Sequence, residues 1–172
     1  MTPEAPETVT ISRRGLAPVW RFQSPTGVLA RGVPARRRTA RVDLPDGRTW
    51  LILPDGTDGL HVWEGEDLLL SAERLDPWGR RWELAGNRYC YQLTNRSGFK
   101  GRWTMGPPGA ETGELRMWTT RRMHFHSQLT VPLEVLVLAW YVIIRMAFAL
   151  FSVGSMVRTG YRPPPRPTGS VG

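Results

Sequence analysis

The chain has 172 residues, 41% of them hydrophobic and 22% charged, which suits one folded domain with its own core and excludes wholesale disorder. Its net charge of +8 is carried almost wholly by arginine, with Lys100 the only lysine. An arginine excess favours anionic partners, either acidic lipid or nucleic acid, although here the charges are scattered through turns and strands, as on a solvated surface. Cys90 is the sole cysteine, so no disulfide can form within the chain, as suits a reducing compartment.

Met1 to Thr10 is polar and proline-bearing and lacks the apolar stretch of a secretion signal, so the bulk of the protein is expected on the cytoplasmic side. Residues 1–7 read as a disordered leader. Short, alternating apolar runs punctuated by Gly, Pro, Asp and Asn follow. They are Val9–Ser12, Val19–Gln23, Gly27–Ala30, Thr39–Leu44, Thr49–Leu53, Leu60–Trp63, Leu68–Ala72, Arg81–Leu84, Tyr89–Thr94, Arg102–Met105 and Leu115–Arg122. Regularly spaced short strands of this kind are the signature of a β-sandwich or barrel.

Two hairpins stand out, one over Arg41–Trp50 turning at Asp46-Gly47, the other over Trp82–Tyr89 turning at Gly86-Asn87. Within Tyr89–Thr94 the side chains of Tyr89, Tyr91 and Leu93 fall on one face and those of Cys90, Gln92 and Thr94 on the other. The run Leu68-Leu69-Leu70 is open to either strand or helix. Trp20, Trp50, Trp63, Trp82, Trp103 and Trp118 each lie in an expected strand, which points to a tryptophan-rich β core.

The last apolar block is a helix. Pro132 suits its first turn, and Glu134 meets the positive end of the helix dipole. From Val135 to Phe151 the only charge is Arg145, and Leu136, Ala139, Trp140, Ile143 and Phe148 give the segment no polar face. The helix is expected over about 132–153, with residues 154–172 a Pro/Arg-rich unfolded tail.

Two architectures can bury such a helix. A membrane span over about 133–153 would be a C-terminal anchor beneath a β-rich domain. Its ten Val, Leu, Ile and Phe residues between Val135 and Phe151 favour insertion by roughly 3–6 kcal/mol, and a central Arg145 opposes it by about 2.5–3.5 kcal/mol. Flanking arginines are symmetric, and Trp140 and Tyr141 sit mid-segment rather than at an interface. The other architecture follows from the strands. About eight strands fill a barrel with their own side chains, whereas ten to twelve leave a wide lumen, and a helix apolar all round must be covered on every side. Threading the helix through the lumen meets both needs, with Arg145 snorkelling to a barrel mouth or an internal acceptor. The expected fold is therefore mainly β, a closed antiparallel barrel of about 10–12 short strands around one C-terminal hydrophobic helix, with residues 8–153 as the domain.

Trp82-Glu-Leu84, Tyr91-Gln-Leu93, Gly101-Arg-Trp103 and the helix start Val131–Trp140, in that order, resemble the tubby-like C-terminal domain superfamily, which includes phospholipid scramblases and LURP-one-related proteins. The chain looks most like the small actinobacterial members, over roughly residues 8–153. The resemblance implies a twelve-stranded barrel around a central hydrophobic helix. It also implies a role near membranes, since tubby proteins bind phosphoinositide headgroups through a basic patch. The cysteine cluster and acidic calcium segment of scramblases have no counterpart here.

No catalytic constellation is legible, so no enzyme and no cofactor are expected. His124-Phe-His126 is the one metal-like spacing; a third ligand would have to come from elsewhere, His61 or an Asp, and bare pairs of this kind are common, so no metal site is expected. The glycine-rich pieces Gly56–Gly59 and Gly106–Gly109 lie between strands as turns, not before helices as phosphate loops. Nucleic acid is disfavoured because lysine is nearly absent and no recognition motif appears. The expectation is a non-enzymatic barrel that meets anionic membrane lipid through Arg36, Arg37 and Arg38.

Overall fold

A computed structural model describes residues 3–15, 18–35, 38–97 and 101–158, with 148–158 given as helical backbone. Twelve strands form one closed antiparallel barrel. They are β2 (Thr8–Arg13), β3 (Trp20–Ser24), β4 (Gly27–Pro34), β5 (Ala40–Asp43), β6 (Thr49–Asp55), β7 (Gly59–Glu64), β8 (Asp67–Arg74), β9 (Arg81–Gly86), β10 (Cys90–Asn95), β11 (Arg102–Gly106), β12 (Gly113–Thr119) and β13 (Arg122–Ser127). Each strand pairs with its sequence neighbour, and β13 closes the ring on β2, with Met123 opposite Ile11 and Phe125 opposite Val9. A short clip outside the barrel pairs β1 (Glu4–Ala5) with β14 (Val131–Pro132), and the helix α1 follows over Leu133–Arg158.

Period-two patterning drives this arrangement. In β3 Trp20, Phe22 and Ser24 point inward and Arg21 and Gln23 outward. Both expected hairpins are present. Asp43 pairs with Thr49 across a loop in which Gly47 holds φ +88°, and Ala85 pairs with Cys90 across a turn closed by Gly86 N–H donating to the Tyr89 carbonyl at 2.9 Å. Leu93 is fully buried with Tyr89 and Tyr91 packed on the same core, as the alternation requires.

Several expectations need correction. The run Leu115–Arg122 breaks at residues 120–121, and the chain returns as β13, a strand the sequence reading did not separate. Thr119-Thr120-Arg121-Arg122 carries no Gly, Pro, Asn or Asp, so the turn sends no compositional signal. Leu68–Leu70 belongs to β8, where Leu70 is buried, Leu69 packs half-buried against the core and Leu68 is exposed. Trp20, Trp50, Trp82 and Trp103 are buried as expected, but Trp63 lies at the surface boundary and Trp118 is 66% exposed. Glu4–Ala5 is a strand rather than disordered leader, its Ala5 buried.

The helix fills the lumen. Every residue from Val135 to Ile144 is at most 3% exposed, Leu136, Ala139, Trp140 and Ile143 among them. The Trp140 indole meets Phe22 and Trp20 edge-on at 5.2 and 5.8 Å, and Gly32 leaves room for it, since a Cβ there would lie 2.6 Å from the ring. A span over 133–153 is therefore not what the fold supports. Its first half is enclosed by strands, and among the residues described in full no helix is long and apolar enough to cross a membrane. Phe148 lies outside the side chains described.

Strict up-and-down winding sorts the loops. The turns after β3, β5, β7, β9 and β11 gather at the end where α1 enters, and those after β2, β4, β6, β8, β10 and β12 gather where it leaves.

Candidate anion-binding surface at the helix-exit end

The closure of β13 on β2 brings together arginines more than a hundred residues apart. Arg122 stands directly opposite Ser12, Ser12 opposite Arg21, and Arg21 opposite Arg31. All of them lie on the outward face of the wall. At its exit end this wall opens a groove of about 340 Å³. Five arginines line it, Arg13, Arg14, Arg21, Arg121 and Arg122, interspersed with the hydroxyl and amide groups of Thr10, Ser12, Gln23 and Thr119. No carboxylate is among them.

Backbone bonds hold the rim. Arg13 N–H donates to the Arg121 carbonyl at 2.9 Å, and Arg121 N–H to Thr119 Oγ1 at 3.2 Å. The Arg13 guanidinium lies over the Trp20 ring at 5.7 Å, which fixes one edge of the groove against the core. Among the described residues Arg14, Arg21, Arg121 and Arg122 have no acidic partner. Like charges directly opposite each other on a sheet repel, so Arg21 and Arg31 weaken their own strand pairing in the absence of a counter-ion. Asp43 stands directly opposite Arg31 on β5, and its carboxylate is held by Arg41 at 2.7 Å.

The neighbouring strands show the opposite arrangement. Arg102 and Arg116 are also directly paired across β11 and β12, but Glu114 bridges them at 2.8 Å to each. Burial alone would raise the Glu114 carboxyl, and the two guanidinium hydrogen bonds outweigh it and hold it below its ordinary range.

Beside the groove, His124 and His126 share the outer face of β13, as their spacing predicts. His124 Nδ1 lies 3.3 Å from Thr10 Oγ1 and its ring meets Trp118 edge-on at 6.0 Å. His61 is on the far side of the barrel, paired with Asp55 at 3.3 Å. Among the described residues no three His, Cys, Asp or Glu side chains converge as metal ligands.

Of the expected lipid contacts, Arg36 and Arg37 lie outside the described residues. Arg38 sits in the β4–β5 loop with φ +64°, half-buried, and its Nε has no hydrogen-bond partner. It lies near Arg145, which leaves the barrel at the same mouth. Burial and the Arg38 charge both lower the pKa of Arg145. Tyr141, one turn earlier, donates to the Thr39 carbonyl at 3.0 Å and ties the helix to that loop.

The entry end is built differently. Glu134 is 2% exposed in the first helical turn and accepts a hydrogen bond from the Tyr89 hydroxyl, so it anchors the helix start as the dipole argument predicts. Burial first, and then the Glu134 carboxylate, pushes the Tyr89 pKa far up. Burial likewise raises the Cys90 thiol, helped by Glu83, so it is no ready nucleophile.

The groove escaped the sequence reading, which singled out the contiguous run Arg36–Arg38. Its only signal is two Arg-Arg pairs, Arg13-Arg14 and Arg121-Arg122, at strand ends that the barrel closure joins.

No protein-family model matches the chain, and no curated protein matches it. A protein from Arabidopsis thaliana solved by X-ray crystallography matches in structure. It is 11% identical, with a TM-score of 0.55, over 83% of this chain and 92% of that one. That likeness is one of fold alone.

Proposed function

We propose that this protein is a non-enzymatic barrel that docks peripherally on anionic membrane through the groove of Arg13, Arg14, Arg21, Arg121 and Arg122. The observation that carries the reading is a groove in which Arg14, Arg21, Arg121 and Arg122 have no acidic partner among the described residues, on a fold that pairs Arg41, Arg102 and Arg116 with acids elsewhere on its surface. Guanidinium groups bind phosphate with directed hydrogen bonds, and basic residues near an acidic bilayer contribute about 1 kcal/mol each. The tubby-like resemblance of the sequence supports lipid as the source of the phosphate.

Co-sedimentation with vesicles tests this. Binding to phosphatidylserine-containing vesicles, lost on pure phosphatidylcholine and weakened steeply by salt, is the expected result. Tight binding to inorganic phosphate that vesicles do not compete with would place the ligand in solution. Preferential capture of a single-stranded oligonucleotide would replace the membrane with nucleic acid.

A further inference from the structure

The loop between β8 and β9 crosses the exit mouth on the side nearly opposite the groove, and it is built around one acid. Asp76 accepts backbone N–H groups of Trp78 at 2.9 Å, Arg80 at 3.1 Å and Arg81 at 2.5 Å. Burial disfavours its charge, but these bonds prevail and its pKa falls below the ordinary carboxylate range. Gly79 takes φ +67° and donates to the Asp76 carbonyl at 3.1 Å, and its own carbonyl accepts the Trp82 indole N–H at 3.0 Å. Gly79 also packs on Met146, where α1 leaves the barrel. The loop is thus tied to the barrel wall and to the helix.

Such bracing makes its outward side chains conspicuous. Trp78 is 77% exposed and Leu75 39%, with Arg80 and Arg81 exposed beside them. A large indole held in water by a rigid loop, with cations flanking it, has the composition of a membrane-interface anchor. The end it occupies is also the right one electrostatically. Glu4, Glu7, Asp46, Glu64, Glu66 and Asp67 lie at the entry end. At the exit end Asp76 is engaged by its own loop, Asp58 by Arg74 at 2.7 Å and Asp55 by His61. Arg48 pairs with Asp46 and Glu64 at the entry end, and Glu73 stands exposed near the exit. Arg13, Arg14, Arg74, Arg80, Arg81, Arg121 and Arg122 gather at the exit, however, so on balance the barrel is more acidic at entry and more basic at exit.

We infer that the exit mouth faces the bilayer, with Trp78 seated in the headgroup layer and Arg80 and Arg81 on lipid phosphates. This rests on the membrane reading above and adds to it an orientation and an anchor remote from the groove. The polarity of the barrel favours that orientation, since the opposite one would press carboxylates onto anionic lipid.

The test uses the full chain, phosphatidylserine-containing vesicles with brominated acyl chains, and the variants Trp78→Phe, Trp78→Ala and Arg80→Ser/Arg81→Ser. Trp78 is exposed, so its replacement leaves the core intact, and an unchanged thermal midpoint verifies this. Quenching of tryptophan emission in the wild type, largely absent in Trp78→Phe, is the expected result. Trp78→Ala and the double arginine variant should each weaken sedimentation by roughly tenfold. Sedimentation with quenching equal in wild type and Trp78→Phe would overturn the orientation while the groove proposal stands. Absence of sedimentation in the wild type would overturn both.

Discussion

Two cross-strand pairs of arginines on this barrel differ in what the nearest acid does. Arg102 and Arg116 face each other across β11 and β12 with Glu114 between them, and Arg21 and Arg31 face each other across β3 and β4 with no bridging acid. The first cluster is complete in the folded chain. The second has no such bridge, and with Arg14, Arg121 and Arg122 beside Arg21 in one groove it is the cluster proposed to take an external anion. A count of basic residues cannot tell the two apart. What separates them is how the nearby acid is used: Glu114 bonds both Arg102 and Arg116, whereas Asp43, opposite Arg31, is bonded by Arg41.

The largest effect should come from removing groove cations. Arg21→Ala/Arg122→Ala is expected to weaken sedimentation with phosphatidylserine vesicles about 30-fold, from roughly 1 kcal/mol per arginine. Arg102→Ala/Arg116→Ala should change it by less than about twofold, and equal losses would erase the distinction. Next in size, Glu114→Gln turns the complete cluster into an incomplete one. Vesicle affinity should then rise about fivefold through the two freed cations, and a fall in affinity would count against the account.

The same carboxylate gives a pH signature. Its folded pKa lies below the 4.5 of an unperturbed Glu. The stabilisation it supplies is therefore complete above that value and is lost as pH falls through the folded pKa. The difference in thermal midpoint between wild type and Glu114→Gln should be constant near neutrality and close on acidification below about pH 4.5. A gap that persisted at low pH would mean that the variant acts through packing. The smallest effect belongs to Arg21→Thr, which removes the like-charge pair while leaving Arg31 opposite Asp43. It should stabilise the fold by about 0.2–1 kcal/mol in denaturant titrations at low salt, and the gain should fade as salt is added.

The frame of the molecule was legible in the sequence wherever local chemistry decides it. Asp46-Gly47 and Gly86-Asn87 announce their turns, alternation sorts Tyr89, Tyr91 and Leu93 inward, and the apolar run after Glu134 demands complete cover. Legibility ended where long-range geometry takes over. The β12–β13 turn uses residues without turn preference, so β13 merged with its neighbour. Trp118 sits in a strand as expected but on the outer face, because phase within a strand depends on where the strand begins. The groove depends on the closure of β13 against β2, which no window of sequence contains. Contiguous arginines at 36–38 drew the reading instead.

The most direct measurement follows the arginine side-chain Nε–H resonances by NMR while a short-chain soluble phosphatidylserine is titrated in. The account predicts saturable shifts at Arg21, Arg121 and Arg122, with Arg102 and Arg116 unmoved. Shifts spread evenly over both clusters, or confined to Arg102 and Arg116, would contradict it.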